Sequence, residues 1–135
     1  MIRTFVDSGV LISAARGADA YSENALAILE DAGREFASSA FVKLEVLPKA
    51  ICYGKTFELE LYQTFFDAVR FWANDLEKLV QDAYHLGSQH GLSALDALHV
   101  AAALLVGADE LVTTERQTKP MHRVIGIQIT SILDG

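Results

Sequence analysis

A chain of 135 residues fits one domain, because domains commonly run ~100–150 residues and one this size buries roughly two-thirds of its unfolded surface. With 51% hydrophobic and 21% charged residues it has the composition of a well-packed globular protein, without repeats, tails or linker-like Pro and Gly clusters. The formal charge of −7 excludes a broad basic surface gripping nucleic acid, so any contact with a polyanion has to be local. Its one cysteine, Cys52, excludes an internal disulfide, and with four scattered histidines it forms no zinc-type spacing. The longest apolar stretch, Val100 to Val106, is far short of the ~20 residues that cross a bilayer, and no basic region followed by a long apolar segment opens the chain. The expected location is the cytoplasm, with no membrane contact.

Residues 2 to 6 are β-prone and mostly apolar, and a helical segment follows Ser8-Gly9. The opening therefore reads as a buried strand leading into a helix, with Asp7 at the strand's carboxyl end. Tyr21 to Ala32 places Ala25, Leu26, Ile28, Leu29 and Ala32 at helical spacing, with Ser22 or Asp19 to cap it and Gly33 to stop it. Phe36-Ala37-Ser38 reads as a short second strand. Ser39 can cap a helix from Ala40 toward Tyr53, which Pro48 should kink or interrupt because it lacks a backbone donor.

After the turn at Gly54-Lys55-Thr56, Phe57 to Val69 repeats apolar residues helically, and Val69 to Ala73 reads as a third strand. Asn74 or Asp75 starts a helix that reaches about His90 and ends at Gly91; Ser93 starts the next, which Gly107 closes. Asp109 to Thr113 is then a strand, Val124 to Ile129 is β-prone, and Ile132-Leu133 docks the C-terminus. Strands alternating with helices predict an α/β sandwich around a mostly parallel sheet with right-handed crossovers.

Asp96 sits in the apolar run from Leu92 to Val106, where a carboxylate is expensive to bury without a partner. Asp7 and Glu45 stand in similarly apolar settings. Ligands of open parallel sheets collect beyond the carboxyl ends of the strands, where Asp7 and Glu115 fall, while Glu45 and Asp96 would project inward from helices. Each acid also has a plain structural explanation. Ser93-Ala94-Leu95-Asp96 fits a capping box, Asp7 can cap the first helix, and Glu45 can sit on an exposed face with Lys43 and Lys49.

If the four converge, carboxylates without histidine or cysteine ligands suit a hard cation, Mg²⁺ or Mn²⁺, able to activate water for attack on phosphorus. His99, one turn after Asp96, is placed to orient that carboxylate or bind substrate but reads first as a core histidine with one nitrogen satisfied, and Trp72, Phe65, Phe66 and Phe71 read as core aromatics ahead of base-stacking platforms. The basic residues around Glu45 (Lys43, Lys49, Lys55) and after Glu115 (Arg116, Lys119, Arg123, with His122) are either solvated surface or local anion contacts.

Phe5-Val6-Asp7-Ser8, Ser38-Ser39-Ala40-Phe41-Val42-Lys43-Leu44-Glu45-Val46 and Leu95-Asp96-Ala97-Leu98-His99-Val100-Ala101-Ala102-Ala103 together resemble the PIN domain, and within it the VapC-type ribonucleases of toxin and antitoxin pairs. The last block, followed by Ala108-Asp109-Glu110-Leu111-Val112-Thr113-Thr114-Glu115, is the most specific, and the resemblance spans nearly the whole chain as one PIN-like nuclease domain, residues 1–135. It implies a three-layer α/β/α domain in which Asp7, Glu45 and Asp96 hold Mg²⁺ or Mn²⁺ and single-stranded RNA is cleaved. Thr113 matches the family's site threonine, and Thr113, Arg116 and Lys119 are the expected substrate contacts. Glu115 stands where the family usually has an aspartate, and Gln117 where another often follows. A small antitoxin partner and a homodimer follow from the same resemblance. A catalytically silent PIN-like binding domain is the alternative. A phosphorylated receiver-like domain is weaker, since Asp7-Ser8 supplies only one acid where that chemistry needs a pair.

Overall fold

The computed structural model describes residues 1–17 and 20–133, so Asp19, one of the two expected caps of the second helix, lies outside the described residues. β1 (Ile2–Val6) carries Phe5 and Val6 with no exposed surface, and this demand for cover on both faces sets it at the middle of a five-stranded sheet. On one side of it lie β2 (Arg34–Ser39) and β3 (Phe71–Ala73), and on the other β4 (Glu110–Thr113) and β5 (Gln128–Ser131), in the order β3-β2-β1-β4-β5. Every pairing among them is parallel, as the alternation of strands and helices predicts.

Parallel neighbours need crossovers, and paired helices supply them. α1 (Ser8–Arg16) and α2 (Ser22–Leu29) lead from β1 to β2, α3 (Ala40–Cys52) and α4 (Thr56–Ala68) to β3, and α5 (Leu76–His90) and α6 (Ala94–Leu105) to β4. Strand alternation sends neighbouring side chains to opposite faces. Thus Phe36 meets Phe65 of α4 at 5.5 Å between ring centres, whereas Phe5, paired with Ala37, faces His99 of α6 at 6.2 Å. Helices cover both faces, which makes the three-layer α/β/α arrangement.

Local expectations are corrected in several places: Ser39 stands at the N-cap of α3 but its side chain makes no cap bond, and Ser22 lies inside α2 behind Tyr21. α3 runs through Pro48 without interruption; the proline is exposed, while Val46 and Ala50 around it are buried and hold the helix against its neighbours. The last strand lies at Gln128–Ser131, later than the apolar segment from Val124 suggests. Its place follows the ladder with β4, Glu110 to Gln128 through Thr113 to Ser131, while Met121 of a 3₁₀ turn (Pro120–Arg123) and Val124 enter the core. Ile132 docks as expected, with 5% exposed.

The chain steps outward from β1 through β2 to β3, then returns to β4 on β1's other side. The adjoining carboxyl ends of β1 and β4 therefore form the switch point, where open sheets leave a crevice.

Candidate active site

Asp7 follows β1 directly and occupies the N-cap position of α1 in an extended conformation, but its side chain does not cap that helix. It turns across the switch point instead: Thr113 Oγ1, at the end of β4, donates to Asp7 Oδ2 at 2.8 Å, and Ser8 Oγ donates to Oδ1 at 3.2 Å. Thr113 also accepts from the Glu115 amide at 3.0 Å, so one buried hydroxyl fixes both Asp7 and the turn that carries Glu115. The register explains this meeting, because Val6 pairs with Val112 and the next residue on each strand is Asp7 or Thr113.

Asp96 enters from the first turn of α6. Ser93 Oγ accepts from the Asp96 amide at 3.3 Å, so the cap read from the sequence forms, but the carboxylate has a second environment. Its pKa is raised, first by burial and then by the charge of Asp7, with Ser93 and His99 opposing and Glu45 adding to the rise. Glu115 is likewise raised, by burial and then by the charges of Asp96 and Asp7, while Lys119 and His122 pull it down. Like charges raise one another only at short range, so the acids of β1, α6 and the β4 turn share one crevice.

Glu45 of α3 is half-buried and has its own partner. His99 Nε2 lies 2.5 Å from its Oε1 and 3.8 Å from Asp7 Oδ1, and the imidazole is 1% exposed. The hydrogen bond from His99 is the largest influence on Glu45 and holds its carboxyl below the usual range despite burial, with the Ser8 hydroxyl helping. Burial pulls His99 down, but the bond to Glu45 and the charges of Asp7, Glu45 and Asp96 together carry it above its ordinary value. His99 is thus a core histidine with one nitrogen satisfied, its Nδ1 having no partner among the described residues, and the satisfied nitrogen joins two acids. The Asp96-to-His99 spacing of one turn pointed to Asp96 as the partner, and nothing in the sequence pointed to Glu45 or Asp7. The part played by Ser8 had no signal beyond its place next to Asp7.

Of the expected substrate contacts, Thr113 is buried and bonded to Asp7, and the other two are less closely tied. Lys119 lies near enough to act on Glu115, whereas Arg116 is exposed and its backbone carbonyl only closes the turn to Lys119. Trp72 is half-buried, with Phe66 at 6.0 Å and Lys43 Nζ 4.6 Å above its ring, which is a packing role.

The donors suit a hard cation chemically, being carboxylates whose mutual repulsion a positive ion relieves. Among the described residues, however, no three acidic, His or Cys side chains converge tightly enough to hold one as they stand, and Glu45 Oε1 is engaged by His99. Drawing the acids onto one ion requires rotation about their side-chain torsions.

The fold and site define a class: a doubly wound parallel sheet with carboxylates gathered at its switch point. The family model of the PIN domain matches residues 4–123, and the chain belongs to the PIN domain family. Its fold is shared with VapBC2 from Rickettsia felis bound to a DNA fragment from their promoter, at 17% identity over 96% of this chain and 98% of that one, with a TM-score of 0.70. A toxin-antitoxin complex from Klebsiella pneumoniae is similar at 20% identity over 92% and 94% of the two chains, with a TM-score of 0.68. VapC20 of Mycobacterium tuberculosis, a sarcin-ricin loop cleaving toxin, is similar at 17% identity over 80% and 86%, with a TM-score of 0.64. No curated protein matches the sequence.

Proposed function

We propose that this chain is a metal-dependent endoribonuclease, a hydrolase that cleaves phosphodiester bonds of single-stranded RNA as the cytoplasmic toxin of a toxin-antitoxin pair. The observation that carries the reading is that Thr113 ties Asp7 to the turn carrying Glu115, with the charge of Asp7 raising Asp96 and the charges of Asp96 and Asp7 raising Glu115, which marks a concentration of negative charge at the switch point. Asp7, Asp96 and Glu45 would hold Mg²⁺ or Mn²⁺, with Glu115 as the fourth acid. When bound, such an ion polarises a phosphate oxygen and lowers the pKa of a water for in-line attack. Thr113 keeps Asp7 in place, His99 keeps Glu45 ionised, and Lys119 and Arg116 meet phosphates at the β4 turn.

The proposed protein partner is a small antitoxin whose basic tail enters the acidic crevice, and the proposed assembly is a homodimer of the toxin. Toxin-antitoxin complexes among the structural neighbours support the pairing. Among the described residues no helix is long and apolar enough to cross a membrane.

Incubating the protein with single-stranded and structured RNA, with Mg²⁺, with Mn²⁺ and with chelator, tests the activity. Cleavage that ignores chelator, or that survives Asp96→Asn, defeats the reading. A second reading, a silent binding domain, is favoured by the engagement of Glu45 with His99. Ordinary Mn²⁺ affinity with competent cleavage rules it out.

A further inference from the structure

The net charge of −7 conceals how the cations are distributed. Arg34 is tied to Glu110 and Asp31, Arg70 to Glu35, and Lys78 to Asp82. Arg3 donates to the Val106 carbonyl at 2.7 Å and covers Phe71, and Lys43 lies over Trp72. Of the remaining six basic residues, Arg116, Lys119 and Arg123 follow β4, and Arg16, Lys49 and Lys55 line one cleft. Of these six, the sequence points only to Arg116 and Lys119 as substrate contacts.

That cleft is a cavity of about 880 Å³ between α1, α3 and α4, and it opens beside Glu45 and Leu95, the residue before Asp96. Lys49 and Tyr53 follow Glu45 on α3 by one and two turns, roughly 6 and 12 Å along the axis, and all three line the same cavity. The α3 stripe therefore runs from an acid of the centre to a cation and then to an aromatic ring that is 71% exposed, with Lys55 beyond it at the start of α4. The wall's other acid, Glu58, faces Arg16 at 3.7 Å, while Lys49 and Lys55 have no ion-pair partner among the described residues.

We propose that this cleft is the track along which single-stranded RNA reaches the acidic centre, with Lys49 and Lys55 on its phosphates and Tyr53 under one base. The inference rests on the ribonuclease reading and adds to it a second arm, separate from the β4 turn. Cations attract the backbone, and a stacking ring accepts any base that is unpaired, which favours a single strand over a duplex. Two lysines repel a basic peptide, which argues against a positively charged protein tail as the occupant.

The test uses the full-length Asp96→Asn chain in chelator, so that binding is read without cleavage, and a short fluorescein-labelled single-stranded RNA of mixed sequence. Anisotropy is followed between about 50 and 200 mM salt. Lys49→Ala with Lys55→Ala should weaken binding about tenfold and reduce the steepness of the log–log salt dependence by about 1.4, from ~0.7 per phosphate contact. Tyr53→Ala should weaken binding about tenfold with the salt slope unchanged, and Tyr53→Phe should restore it.

In the cleavage-competent chain these changes should raise KM and leave kcat within about twofold. Arg70→Ala, far from the cleft and paired with Glu35, is the control that should change neither. Because Lys49, Tyr53 and Lys55 are all exposed, the variants keep the fold, and circular dichroism checks this. If the protein cleaves RNA while affinity and KM ignore all three substitutions, the track is wrong and the ribonuclease reading survives. If the variants instead lose affinity for an Arg-rich peptide and keep it for RNA, the cleft is a protein-docking surface and the track is likewise wrong. If the unaltered chain neither binds nor cleaves RNA, both readings fall.

Discussion

His99 Nε2 stands 2.5 Å from Glu45 Oε1 and 3.8 Å from Asp7 Oδ1, so one buried imidazole on α6 joins the acid of α3 to the acid at the end of β1. Because its Nδ1 is buried without a partner among the described residues, the ring has no competing bond to turn it away from Glu45.

The pair predicts a stability profile in pH. His99 is raised above its ordinary 6.5, so its contribution is full below that value and is lost as pH climbs through the raised pKa. Glu45 is lowered from its ordinary 4.5, so its contribution is full above that value and is lost as pH falls through the lowered pKa. The joint contribution is therefore greatest between pH 4.5 and 6.5. His99→Ala should cost about 1–3 kcal/mol at pH 6 and flatten the alkaline decline, as read from urea unfolding across pH. With Glu45 freed, RNA cleavage should fall about 10- to 100-fold, while His99→Gln, which keeps a donor, should lose less.

Asp96 should be a cost to stability at neutral pH. A carboxyl whose folded pKa is raised contributes stability below its ordinary 3.8 and loses that contribution as pH rises through the raised value. Asp96→Asn removes this repulsion and keeps the Ser93 cap, whose donor is a backbone N–H. Without divalent ions at pH 7 the variant should gain up to about 0.5 kcal/mol, a figure discounted for solvent screening of a half-exposed group. Mn²⁺ at about 100 times its Kd should stabilise the unaltered chain by about 2.7 kcal/mol, and the variant by much less. Thermal melts with equal Mn²⁺ shifts in both would remove Asp96 from the ion site.

Thr113→Val should separate packing from placement. The change keeps shape but deletes both bonds of a fully buried hydroxyl, the one to Asp7 Oδ2 and the one from the Glu115 amide. Unfolding should show a loss of about 1–3 kcal/mol, and cleavage should drop more than the folded fraction accounts for; Thr113→Ser should retain most of both.

Pro48→Ala tests the continuity of α3. At an exposed position inside an unbroken helix, alanine restores the donor that proline lacks and removes its steric conflict with the preceding turn. The urea midpoint should rise, by about 1–3 kcal/mol in stability. Unchanged or lower stability would mean that the proline is accommodated without strain.

Much of this was readable along the chain because short-range forces wrote it. Ser93 bonds to the amide three residues on, Asp75 does the same for Lys78, and Gly91 ends α5 in the left-handed conformation that glycine adopts freely. Asp7 could be placed at a strand end, and Asp96 recognised as a charge in an apolar helix, from periodicity alone. Where a long-range ladder or packed neighbours decided the outcome, local pattern misled: β5 took its register from β4, and α3 passed through Pro48.

Most of the elements and their alternation were thus determined by the sequence, since propensity, capping and hydrophobic period act within a few residues. Tertiary structure alone decided that Thr113 bonds to Asp7 across 106 residues, that His99 holds Glu45 across 54, and that Lys49 and Tyr53 share a cleft with Arg16. Such contacts depend on which helix faces cover which side of the sheet, a choice set by burying the whole apolar surface at once.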